Sequence, residues 1–166
     1  MAKITLGGNP IETIGDLPKT GEQAKDFNLI KQDLSTLTLA DLKGKKVILN
    51  IFPSVDTGTC AMSTRMFNAE ASKLENTQVV CVSRDLPFAF KRFCGAEGID
   101  DLITASDFNS GKFGKDYNLE MISGGLKGLH SRVVIVLDEF GKIIYTEQVP
   151  EIVDEPNYQA ALDAIK

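Results

Sequence analysis

The chain predicts a mixed α/β fold, with a central mixed β-sheet flanked by helices and a β-hairpin added at its N-terminus. Three observations carry this. Residues 47–52, apolar except for Asn50, and the fully apolar residues 133–137 read as strands covered on both faces. Helical patterns follow the strand at 47–52 and a second strand at 77–83. Gly7-Gly8-Asn9-Pro10 is a dense turn signal between two short strand-like runs.

In chain order, residues 3–6 and 11–14 form the hairpin strands. Residues 27–30 and 35–39 are weaker strand candidates. After the strand at 47–52, residues 60–75 read as a helix. Cys60, Phe67, Ala71 and Leu74 are spaced along one face, while Arg65, Asn68, Ser72 and Glu75 lie opposite. Cys60 therefore points toward the protein, at the rim of its core.

The strand at 77–83 leads to Asp85-Leu86-Pro87, a helix-start signal, and Phe90, Phe93 and Cys94 form an apolar stripe ending at Gly95. Residues 107–117 read as a short helix. Asp138-Glu139-Phe140-Gly141 turns the strand at 133–137 into one at 142–148, and residues 156–165 close the chain as a helix. Strand–helix–strand–helix, a hairpin, then a helix is the order of a thioredoxin-like fold. No linker or repeat divides it, and 166 residues suit a single domain over 1–166.

Composition narrows the function. Hydrophobic residues make up 43% and charged residues 25%, as in ordinary globular proteins. A net charge of −5 with no basic stripe argues against nucleic acid as a partner. No run reaches the ~20 apolar residues that span a bilayer, and residues 1–15 lack a signal-peptide core. A cytoplasmic location with no membrane partner is the expectation. Cys60, Cys81 and Cys94 are too few and too scattered for a disulfide framework. No Cys-x-x-Cys occurs and His130 is the single histidine, so no metal site is expected. The loop 124–128 lacks dinucleotide and P-loop patterns, so no cofactor is expected either. Cys81, within Val79-Val80-Cys81-Val82, reads as strand core. His130, in a loop without an evident carboxylate to orient it, reads as a surface residue.

Cys60 is different, because it sits where a strand opens through residues 53–59 onto a helix. Unpaired N–H groups and the helix dipole favour an anion there, and the thiolate is the reactive form of cysteine. Thr57, three residues earlier, can turn its hydroxyl toward the sulfur or a bound oxygen, although a helix-capping role alone would also explain it. Pro53 removes one N–H and sets the direction of the loop. If the strand at 133–137 runs antiparallel beside 47–52, Arg132 lies at the same end as Cys60. A thiolate attacking a hydroperoxide needs an aligned O–O bond and donors for the departing alkoxide. The amides of residues 58–60, Thr57 and Arg132 could supply them.

Pro53, Thr57 and Cys60 match the Pro-x-x-x-Thr-x-x-Cys signature, and the segment resembles the active site of peroxiredoxins. Asn50-Ile51-Phe52-Pro53-Ser54, Asp85-Leu86-Pro87-Phe88-Ala89, Arg92-Phe93-Cys94-Gly95-Ala96-Glu97-Gly98, Leu126-Lys127-Gly128-Leu129 and Glu155-Pro156-Asn157-Tyr158 extend the resemblance over nearly the whole chain. They are similar to the thiol peroxidase subfamily of bacterial peroxiredoxins. The resemblance implies an atypical two-cysteine mechanism with Cys60 peroxidatic and Cys94 resolving. It further implies a disulfide between them within one chain, thioredoxin as reductant, hydrogen peroxide and alkyl hydroperoxides as substrates, and a homodimer. Met62 and Met66 are expected to alter the pocket lining. Because Cys94 lies near a helix end, that end must partly unwind for the bridge to form. The competing reading is a peroxide sensor that relays oxidation to a partner protein; the missing Cys-x-x-Cys speaks against a disulfide reductase.

Overall fold

The structure is a computed structural model and describes residues 2–166. Its N-terminal hairpin pairs β1 (Lys3–Leu6) with β2 (Asn9–Glu12). The turn is tighter than the sequence suggests: Gly7-Gly8 alone makes it, and Asn9 and Pro10 already belong to β2. A seven-stranded mixed sheet follows, built from β3 (Asn28–Lys31), β4 (Thr36–Thr38), β5 (Lys46–Ile51), β6 (Thr77–Ser83), β7 (Ile103–Ser106), β8 (Val133–Leu137) and β9 (Ile143–Gln148), in the order β4-β3-β7-β6-β5-β8-β9. The strands β5, β6 and β7 are parallel, and β8 runs antiparallel beside β5.

The helices are α1 (Gly58–Ala71), α2 (Pro87–Glu97), α3 (Lys112–Asp116) and α4 (Tyr158–Ala164). The alternation of β5 explains the two-sided core. Val47, Leu49 and Ile51 join Phe27, Phe113 and Tyr117 on one face. Ile48 and Phe52 face α1, α2 and α4 through Phe67, Phe90 and Ala161. Asn50, buried in the same strand, donates to Ser63 Oγ at 3.2 Å and to Cys81 Sγ at 3.6 Å.

The expected helices are displaced at their ends. α1 begins two residues before Cys60, because Thr57 caps it. α2 runs past Gly95 to Glu97 and stops at Gly98, whose φ of +66° suits glycine. The helix expected at 107–117 shrinks to Lys112–Asp116, because the buried carboxylate of Asp107 accepts the amides of Phe113 and Gly114 and so starts the helix later. Among the described residues, no helix is long and apolar enough to cross a membrane.

The hairpin is fastened to the chain beyond β9. Thr5 N donates to the Pro150 carbonyl and Ile152 N donates to the Thr5 carbonyl, both at 2.8 Å. Ile4, Ile11, Met121 and Ile152 form a separate apolar cluster beneath it. This places Leu6 and Ile152 beside the C-terminal end of β5, where the Cys60 loop begins.

Candidate active site

Parallel β5 and β6 deliver two loops to one edge of the sheet. Phe52 N still pairs with the Val82 carbonyl at 3.1 Å, and the chain then leaves the sheet through Pro53. Asp85, just beyond β6, grips this loop: Ser54 Oγ donates to Oδ1 and Val55 N to Oδ2, both at 2.7 Å. Thr57 then starts α1. Its hydroxyl accepts from Cys60 N at 3.3 Å and donates to the Ser54 carbonyl at 3.2 Å. The Thr57 hydroxyl is thus a cap in this state, its proton committed to the loop rather than to the sulfur. The amides of Gly58 and Thr59 have no intrahelical acceptor by position.

Cys60 is fully buried in the first turn of α1, in an apolar cluster with Phe52, Val55 and Phe90. Its carbonyl accepts from Ser63 Oγ at 3.0 Å and from Thr64 Oγ1 at 2.9 Å, which stiffens the turn. Arg132 lies where the antiparallel pairing predicts. Ile51 pairs with Val133, so Arg132 falls one step further, across from Phe52. It shares a sheet face with Val134, which belongs to the Cys60 cluster.

Arg132 is only 2% exposed, and no ion pair with it occurs among the described residues. Its Nε donates to the Ile152 carbonyl at 2.7 Å, while Nη1 is buried without a partner. A buried guanidinium with an unpartnered donor can pair with an anion. Its charge also reaches the Tyr158 hydroxyl, which donates to Glu155 at 2.9 Å. Pro53, Thr57, Gly58, Thr59 and Arg132 line one cleft of about 220 Å³, closed by Leu6, Leu126, Ile152 and Val153. Met62 and Met66 do not line it, contrary to expectation; both are about two-fifths exposed, on the outer side of α1. The structure therefore gathers Pro53, Thr57 and Arg132 around one opening, next to a buried Cys60.

Cys94 lies in the last turn of α2 and shares the apolar cluster of Cys60. All three cysteines are free thiols. Burial pushes the Cys94 thiol up, partly offset by the side chains of Gln32 and Thr104. Burial pushes Cys81 up to about 12, as befits strand core. The last turn of α2 is tied to α1 by the two-pronged Arg65–Glu97 pair at 2.9 Å, and the loop beyond α2 is tied to it by Asp101 N donating to Asn68 Oδ1 at 3.0 Å.

His130 is a correction. It is not a surface residue: it is fully buried, and its Nε2 lies 3.0 Å from Asp107 Oδ2. The orienting carboxylate is present but 23 residues away in sequence, and burial holds the imidazole below its ordinary pKa despite Asp107. Asp85 was legible only as part of a helix-start signal, and its grip on the cysteine loop had no local signature.

Comparisons with known proteins show the family and the fold. The Redoxin family model matches residues 19–162. A thiol peroxidase from Corynebacterium glutamicum is 50% identical over 165 residues, 99% of each chain. Among solved structures, a peroxiredoxin-like protein from Aquifex aeolicus superposes with a TM-score of 0.92 at 34% identity, over 98% of this chain and 95% of that one. A thiol peroxidase from Chromobacterium violaceum shares the fold, with a TM-score of 0.90 at 18% identity over 97% of this chain and 93% of that one. By this family match and this identity over nearly its whole length, the chain belongs to the Redoxin family as a peroxiredoxin of the thiol peroxidase type.

Proposed function

We propose that Cys60 is the peroxidatic cysteine and Cys94 the resolving one. The Cys60 thiolate attacks the distal oxygen of hydrogen peroxide or an alkyl hydroperoxide. A sulfur–oxygen bond forms as the O–O bond breaks, and the departing oxygen leaves as water or alcohol after taking a proton. Arg132 Nη1 and the amides of Gly58 and Thr59 stabilise the charge on that oxygen. Pro53 and the apolar walls keep bulk water from the sulfenic acid. Cys94 then displaces water from the oxidised sulfur, closing an intramolecular disulfide, which a thioredoxin dithiol reduces by exchange.

The observation that carries this reading is the unpaired, buried Arg132 donor on the sheet face of the Cys60 cluster. Disulfide geometry requires Cα atoms within about 7 Å, and Cys94 sits inside a capped helical turn. Resolution therefore includes unwinding of that turn. The chain acts in the cytoplasm as a homodimer. Leu86 and Phe88 expose 51% and 63% of their surface at the start of α2, and Phe108 exposes 44% beside them; a second copy would cover this patch. Sedimentation of Phe88→Asp tests that part, with a monomer expected and an unchanged dimer against it. A thioredoxin-coupled assay of wild type, Cys60→Ser and Cys94→Ser tests the chemistry. Turnover is expected only in wild type; turnover in Cys60→Ser would sink the reading.

A further inference from the structure

The turn after β6 carries two adjacent charged residues that reach in different directions. Asp85 holds the cysteine loop with both oxygens: Oδ1 takes Ser54 Oγ, and Oδ2 takes Val55 N together with Ser83 Oγ at 2.5 Å. Arg84, its neighbour, reaches into the segment that leads to Arg132. Its Nη1 donates to the Gly128 carbonyl, and Nη2 donates to the Gly111 carbonyl at 3.2 Å and to Glu120 Oε2 at 3.3 Å. Its Nε lies 3.8 Å from Asp107 Oδ2, the carboxylate that also engages His130. Glu120 and His130 bridge each other across this segment, and Ser131 N donates to the Leu119 carbonyl at 2.8 Å. Arg132 is the next residue.

We propose that the Arg84–Asp85 turn is a positioning device that registers the arginine-bearing segment against the cysteine loop. The proposal rests on the reading that Cys60 and Arg132 act together. The two halves of that site come from distant parts of the chain, and this turn touches both. Arg84 is poorly placed to supply charge to a peroxide, because Asp107 and Glu120 already face it. Arg132 makes no ion pair among the described residues, and its Nη1 has no partner. Arg84 therefore acts through position, and only a guanidinium fork spans its several acceptors at once. Gly114 leaves the room this requires: a Cβ there would fall 2.7 Å from His130 Nε2 and 3.0 Å from Arg84 Nη2. A misplacement of about 1 Å at a reacting centre can slow a reaction by roughly a hundredfold.

The test is a double-mutant cycle on the rate of Cys60 oxidation by hydrogen peroxide, measured by competition with a second peroxidase. Arg84→Met is expected to slow oxidation by roughly ten- to a hundredfold in the wild-type background and not further in Arg132→Met. Arg84→Lys, which keeps the charge but not the fork, should behave like Arg84→Met. A wild-type rate in Arg84→Met, rescue by Arg84→Lys, or an equal drop in both backgrounds would overturn the proposal. An Arg132→Met rate equal to wild type would instead overturn the reading of the site, and the proposal with it. Should Arg84→Met not fold, Glu120→Ala, which removes the acceptor of Arg84 Nη2 from a partly exposed side chain, passes through the same cycle: slower oxidation is expected in the wild-type background and no further loss in Arg132→Met, and a wild-type rate or an equal drop in both backgrounds would overturn the proposal.

Discussion

Replacing Arg132 by methionine separates what this residue does for the fold from what it does for the reaction. The side chain is buried with one donor satisfied by the Ile152 carbonyl and another, Nη1, unsatisfied. A buried polar group without a partner costs about 1–3 kcal/mol, and a buried charge lacking a counter-ion costs more. Methionine removes that cost, retains most of the side-chain volume and leaves one carbonyl unpaired. Stability should therefore hold or rise. The reaction loses a preorganised donor aimed at developing charge, a change worth roughly 10²–10³ in rate, or about 2.7–4 kcal/mol. Competition kinetics against a reference peroxidase isolate the first oxidation from resolution and recycling, and urea unfolding reports stability in the same samples. The expected result is a loss of about a hundredfold or more in rate with an unchanged or higher midpoint. Oxidation within threefold or so of wild type, or a rate loss matched by unfolding, would refute this account of Arg132.

Other outcomes follow from the same structure. Gly98 closes α2 with φ +66° and open space around its Cβ position, so Gly98→Ala strains only the backbone. A strain of about 1 kcal/mol should loosen the turn holding Cys94 and speed disulfide formation roughly fivefold; rapid-quench thiol counting that finds slower closure would contradict it. Cys94→Ser should consume one equivalent of peroxide and then stall with oxygen retained on Cys60, as intact mass would reveal; continued turnover with thioredoxin would contradict it. Burial lowers the His130 pKa below its ordinary 6.5, so the unfolded chain takes up the proton first as pH falls. Its contribution to stability is full above about pH 6.5 and is lost as pH falls toward the lower folded value. His130→Asn should flatten the pH dependence of the urea midpoint in that window, and an unchanged slope would count against the buried neutral imidazole.

Much of this was legible in sequence because its signals are local. The apolar runs at 47–52 and 133–137 mark buried strands, and an antiparallel pairing between them suffices to carry Arg132 to the Cys60 end. Thr57 and Cys60 lie three residues apart, the spacing of a helix cap. What escaped depends on distant pairing. β7 is short and contains Thr104 and Ser106, whose polarity hides a strand buried between β3 and β6. Asp107 resembles the start of a helix, yet it spends its carboxylate on α3 and on His130. His130 looked exposed because nothing nearby in sequence pairs with it. The double role of the Arg84–Asp85 turn likewise exists only once β5, β6 and β8 stand side by side.

If peroxide oxidises Cys60 and Cys94 answers it, the two sulfurs end in one disulfide. Treating the reduced protein with one equivalent of hydrogen peroxide, blocking free thiols and mapping peptides without reduction tests it directly. The account predicts one disulfide, Cys60–Cys94, within a single chain, with Cys81 recovered as a blocked thiol. A bridge involving Cys81, a link between chains, or a first oxidation at Cys94 would contradict it.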